Sequence, residues 1–96
     1  MKVQWTEKAR KRLREIEAYL IAEECTPIRA SKLIFSITRK TSKQLADYPQ
    51  SGRPGRVKNT RELFFSDSPF LVVYTARKQT VTVLSVYHTA QQIPTA

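Results

Sequence analysis

Both glycines of this chain, Gly52 and Gly55, fall in one segment, Gln50 to Asn59, together with Pro54. The residue pattern changes period across that segment. Before it, apolar residues recur at the three- and four-residue intervals of a single helix face. After it come three short runs, Arg61–Phe65, Phe70–Arg77 and Thr80–His88. They are rich in the β-branched and aromatic side chains that suit a pleated surface. A chain divided in this way has a helical half and a sheet half, and each must bury its apolar side against the other.

The helical half is clearly punctuated. Lys2 to Trp5 alternates as a short strand, with Val3 and Trp5 on one side and Trp5 expected in the core. Thr6 then offers an N-cap, and Glu7 suits the positive end of a helix. Ala9, Leu13, Ile16 and Leu20 form its apolar stripe. Thr26-Pro27 restarts the chain with a cap residue and a proline at the first helical position. Ala30, Leu33, Ile34, Ile37, Leu45 and Tyr48 make the second stripe, with Thr41 on the same side, and Pro49 ends it. So short a join predicts an antiparallel helical hairpin. In the sheet half, Lys78-Gln79 is a two-residue hairpin turn without the glycine or asparagine that favours one. The tail from Thr89 to Pro94 is expected to be short and exposed. The predicted class is α+β in the order β-α-α-β-β-β, a helical hairpin packed on a small, curved, mainly antiparallel sheet.

A length of 96 residues predicts one domain spanning 1–96. The single cysteine, Cys25, has no internal disulfide partner, which fits a reducing cytoplasm. No apolar run approaches the ~20 residues of a membrane helix. The start, Met1 to Trp5, is too short for a signal peptide. No ligand spacing for a metal is present, and no cofactor is expected.

Charge is the strongest compositional constraint. Seventeen Lys and Arg stand against eight Asp and Glu, a net +9. Arg53, Arg56, Lys58 and Arg61 follow one another with no acid between Tyr48 and Arg61, and no acid appears after Asp67. Such a field favours an anionic partner, nucleic acid or acidic protein, without choosing between them. The first helix adds Lys8, Arg10, Lys11, Arg12 and Arg14 on its polar side, either a solvated face or part of the same surface. Gly52 and Gly55 serve turn geometry; no helix opens after them, as a phosphate-cradling loop would require.

The order of motifs resembles the RelE/ParE superfamily of toxins from bacterial toxin–antitoxin pairs. The matching pieces are W-T-x-x-A-x-x-x-L-x-x-I-x-x-Y from Trp5 to Tyr19 and L-x-x-Y-P-x-S-G-R-P-G-R from Leu45 to Arg56. They continue with R-E-L from Arg61, P-F-L-V-V-Y from Pro69 and V-x-V-L-x-V-Y-H from Val81 to His88. The resemblance implies a toxin held inactive by a cognate antitoxin whose acidic or amphipathic segment wraps it. It also implies one of two actions: ribosome-dependent cleavage of messenger RNA, or poisoning of DNA gyrase, with growth arrest and plasmid stabilisation as the biological setting.

Cleavage needs a group to activate the ribose 2′-hydroxyl, an acid for the departing oxygen and a cation near the phosphate. His88 stands where some cleaving members place a catalytic histidine, and Arg61 or Arg77 would be its cationic partner. The plainer reading of His88 is a strand-end residue that caps the sheet or contacts Tyr87. The resemblance also weighs against cleavage. Leu71 occupies a position that is typically arginine in cleaving members, Glu62 and Phe64 lie where lysines are common, and Thr89 replaces an aromatic or basic residue. The reading therefore leans to the gyrase-poisoning branch, with Arg53, Arg56, Lys58, Arg61, Arg10 and Arg14 as the surface for target or antitoxin. A basic nucleic-acid-binding module without toxicity is the third possibility.

Overall fold

The computed structural model describes residues 1–23, 25–66 and 68–89. The chain runs β1 (Lys2–Trp5), α1 (Glu7–Glu23), α2 (Pro27–Asp47), β2 (Arg53–Pro54), β3 (Arg61–Phe65), β4 (Ser68–Arg77) and β5 (Thr80–His88). This is the predicted α+β order with one addition, the two-residue β2 inside the expected loop. The prolyl residue gives β2 no sequence signal, and its pairing with β3, Arg53 with Glu62 and Pro54 with Arg61, is wholly tertiary. The tail after Thr89 lies outside the described residues.

Both predicted caps form. The Thr6 hydroxyl accepts the Ala9 N–H at 3.0 Å, and Thr26 accepts that of Arg29 at 3.2 Å with Pro27 just behind it. Each cap of this kind contributes about 1 kcal/mol. Ala9, Leu13, Ile16 and Leu20 are buried, as are Ala30, Ile37, Thr41 and Leu45, so the two stripes meet the sheet as expected. Tyr48 departs from its stripe. It occupies the C-cap, where the helical phase has ended, and is 66% exposed.

The sheet order is β1-β5-β4-β3-β2. β1 lies parallel to β5, Val3 beside Val81 and Trp5 beside Val83, and the other neighbours are antiparallel. Because β1 ends at Trp5, the second half of β5 would be left as a bare edge. The start of α1 covers it. The Thr6 hydroxyl donates to the Leu84 carbonyl at 3.2 Å, and Arg12 Nε donates to that of Val86 at 3.3 Å.

A β-bulge sets which face the end of β5 presents. Val73 pairs with Ser85 but Tyr74 pairs with Val83, so Leu84 is the extra residue. The strand's alternation slips by one there. Val81 and Val83 before the bulge, and Val86 and His88 after it, all lie on the helix side. Ser85 and Tyr87 are thereby turned to the open face.

The β4–β5 hairpin closes through Lys78 and Gln79 with φ of 48° and 66°, both in the left-handed region. Two such residues define the turn that matches strand twist, but side chains there cost about 1 kcal/mol or more each. Gln79→Gly should therefore stabilise the fold by about 1 kcal/mol, a rise of ~4–8 °C in a domain of this size. Thermal denaturation followed by circular dichroism checks it, and an unchanged or lower midpoint would contradict it.

Candidate functional site

The arginine-rich loop is fastened to the sheet from beneath. Tyr74, fully buried on β4, donates its hydroxyl to the Pro49 carbonyl and accepts the Gly52 N–H, both at 2.9 Å. Arg61 reaches the same point from β3, donating to the Gly52 carbonyl at 2.7 Å and to that of Gln50 at 3.5 Å. Gly52 is required here for proximity. A Cβ would lie 2.6 Å from the Tyr74 hydroxyl and 2.9 Å from the Glu62 carbonyl, well inside contact distance, although its φ is ordinary. The turn role expected for it is therefore a close-approach role. Arg61, expected to face a target or antitoxin or to assist His88, instead clamps loop carbonyls.

Glu62 organises the two other loop arginines. Its side chain is 4% exposed and accepts the Arg56 N–H at 2.9 Å. Arg53 Nη2 lies 3.6 Å and Arg56 Nε 3.8 Å from the second carboxylate oxygen. The Arg53 guanidinium also sits 4.3 Å over the ring of Phe64. Both arginines keep substantial exposure, 58% and 35%, so these ion pairs hold the guanidinium planes rather than contribute much stability. Glu62 and Phe64, read in the sequence as departures from a basic set, are what position Arg53 and Arg56. Lys58 is exposed in the same loop.

Beside this cluster the open face of the sheet is hollowed. A cavity of about 240 Å³ is lined by Lys8, Val57, Thr60, Glu62, Val73, Leu84, Ser85 and Tyr87. Ser85 is buried, and its hydroxyl has no hydrogen-bond partner among the described residues. Arg12 borders the cavity, its guanidinium 5.0 Å over the Tyr87 ring and 3.1 Å from Glu15. With 3.6 residues per turn, Lys8 and Arg12 share the flank of α1 that meets β5, which places Arg10 and Arg14 on the other flank. Arg14 pairs there with Glu7 at 3.2 Å, both side chains being exposed. The predicted helix face is thus divided: Lys8 and Arg12 join the site, and Arg10 and Arg14 do not.

The three residues considered for cleavage are not assembled. His88 is 5% exposed on the helix side, its ring 5.7 Å from both Tyr19 and Phe70. Tyr87, the neighbour it was expected to contact, lines the cavity on the opposite face, because successive strand residues alternate. Arg77 stands at the far end of the hairpin, opposite Thr80, whereas His88 is opposite Phe70. Seven residues of strand separate those pairs, about 23 Å. Arg61 is committed to the loop. The described residues contain no group of three or more His, Cys, Asp or Glu suited to a metal, and no helix among them is long and apolar enough to cross a membrane.

A helical hairpin on one face of a five-stranded mixed sheet, with a basic loop and a hollow on the other, defines the RelE/ParE-like toxin class. Residues 3–93 match the family model described as the ParE toxin of the type II toxin–antitoxin system parDE, and the chain belongs to that family. It is a type II toxin of the RelE/ParE superfamily. It is 41% identical over 93 residues to Y4kP of Sinorhizobium fredii, with 97% of this chain and 93% of that protein covered. Its fold is similar to that in the chromosomal ParDE system of P. aeruginosa, with a TM-score of 0.79, 24% identity, and 92% and 95% of the two chains covered. It is similar also to a chain of the RelBE2 toxin–antitoxin complex of Mycobacterium tuberculosis, with a TM-score of 0.68, 20% identity, and 94% and 92% covered.

Proposed function

We propose that this toxin acts by ParE-type inhibition of DNA gyrase and that a cognate antitoxin neutralises it. One observation carries the choice of branch. The chain's single imidazole is buried on the helix side, so the open face presents guanidinium and ammonium groups without the side chain best suited to proton transfer near neutral pH. Such a face suits binding and electrostatic capture of a target. Arg53 and Arg56, aimed by Glu62 and Phe64, make the principal contact, with Lys8, Arg12 and Lys58 around them. The match to the ParE family model supports the same branch, and the solved toxin–antitoxin complexes of this fold support an antitoxin partner.

Ribosome-dependent RNA cleavage is the second reading. It is favoured by the open-face cavity, where Lys8, Glu62 and Tyr87 line one hollow. Pulse labelling after induction separates the two. Gyrase poisoning should stop DNA synthesis first, induce the DNA-damage response and give filamentous cells, while protein synthesis continues. Translation failing first, with intact DNA and cleaved transcripts, would move the assignment to the nuclease branch. Unimpaired growth with soluble, folded protein would leave only a non-toxic nucleic-acid-binding module.

A further inference from the structure

Arg53 and Arg56 are held as a pair beside a hollow that has a hydrogen-bonding group to offer. Arg53 stands opposite Glu62 across β2 and β3, and cross-strand partners share a face. Its Nη2 and the Nε of Arg56 lie 3.6 and 3.8 Å from the same Glu62 oxygen, so two cations sit side by side over one buried anion. Lys58 and Lys8 are exposed on either side of them. In the hollow between, Ser85 is 4% exposed and its hydroxyl has no partner among the described residues. At about 240 Å³ the hollow is roughly 6 Å across, too narrow for an α-helix of about 10–12 Å. An extended peptide fares no better. The hollow lies over β3, β4 and β5, whose backbone groups already pair with one another, so a peptide seated there would leave its own N–H and C=O groups unmatched.

We propose that the open face binds the sugar–phosphate backbone of duplex DNA, with phosphates on Arg53 and Arg56 and the strand crossing the Ser85 hollow towards Lys8. A backbone strand has no amide groups to satisfy. Its phosphates offer paired oxygens to guanidinium forks, and Arg, Lys, Ser, Thr and Tyr are the side chains that contact phosphate and sugar. Ser85, Thr60 and Tyr87 all line this hollow. Arg12 borders it too, but its ion pair with Glu15 leaves Lys8 as the net cation of that rim. The inference rests on the gyrase reading for the source of the DNA and deepens it. The toxin grips the DNA segment that gyrase holds, and so selects the DNA-bound enzyme over the free one. Four cations, Arg53, Arg56, Lys58 and Lys8, then set the salt dependence. Each neutralised phosphate adds about −0.9 to the slope of log K against log salt, about −3.6 in all.

Fluorescence anisotropy of a short labelled DNA duplex, titrated with full-length toxin over a range of salt concentrations, tests this. Arg53→Gln/Arg56→Gln/Glu62→Gln, verified as folded by circular dichroism, should bind about tenfold or more weakly, with the slope reduced to about −1.8. Ser85→Val fills the hollow without altering charge, and should weaken binding about fivefold at an unchanged slope. Arg10→Gln/Arg14→Gln, on the far flank of α1, should stay within about twofold of wild type. Equal weakening in that last variant reduces the binding to general attraction by net charge, and undiminished binding by Ser85→Val removes the hollow. Either overturns the inference, as does tighter binding of duplex RNA than of DNA. No DNA binding, while induction still stops DNA synthesis, overturns the inference and leaves the gyrase reading standing. DNA bound as expected, while DNA synthesis continues after induction, overturns the gyrase reading and leaves the DNA site.

Discussion

Removing the two presented guanidinium groups should abolish growth arrest without unfolding the protein. The variant to make is Arg53→Gln/Arg56→Gln/Glu62→Gln. Changing the arginines alone would leave Glu62 as a buried carboxylate short of its partners, a penalty of about 1–3 kcal/mol that would confuse loss of function with loss of fold. Glutamine at position 62 keeps an oxygen for the Arg56 N–H, the 2.9 Å bond that shapes the loop. Since both arginine side chains are substantially exposed, the triple variant should lose no more than about 1 kcal/mol of stability. Colony formation after induction should rise to that of an empty-vector control, and circular dichroism should show a folded protein. Undiminished toxicity would remove the loop arginines from the target contact.

His88 should behave as a packing residue. It fills the space between Tyr19 and Phe70 at the end of β5, and His88→Ala should cost about 2–4 kcal/mol through the cavity left behind. That corresponds to a fall in melting temperature of roughly 8–32 °C for a domain of this length. His88→Phe keeps an aromatic ring in the same place and should recover most of that stability together with toxicity. A general acid–base role predicts the reverse for His88→Phe, a folded protein with activity reduced ~10²–10⁴-fold. Melting curves and growth assays on both variants distinguish these outcomes, because only a catalytic histidine separates stability from function.

These expectations depend on features of very different legibility. Local patterns announced the helices: Thr6 and Thr26 as caps, Pro27 at a first turn, Pro49 as a stop, and two apolar stripes whose periods matched the faces that are buried. The three β-branched runs announced β3, β4 and β5, and the Lys78-Gln79 turn formed even without favourable residues. Such signals involve neighbours within a few positions, and the sequence displays neighbours directly.

Composition and local pattern by themselves determined an α+β chain, two capped helices, three main strands, and a basic surface fit for an anionic partner. Tertiary structure alone decided which charges belong to that surface. The parallel pairing of β1 with β5 and the two-residue β2 join segments far apart in sequence, and no local propensity encodes them. The extra residue at Leu84 slips the alternation of β5 by one, which sends His88 to the core side and Ser85 and Tyr87 to the open face. Glu62, from an adjacent strand, turns Arg53 and Arg56 into a fixed pair, while Arg61 is drawn down to the Gly52 carbonyl and Arg10 and Arg14 are carried to the far flank of α1. The physical reason is common to all of these. A side chain's direction is set by strand register and helix phase against distant partners, and those are fixed only when the sheet closes over the core.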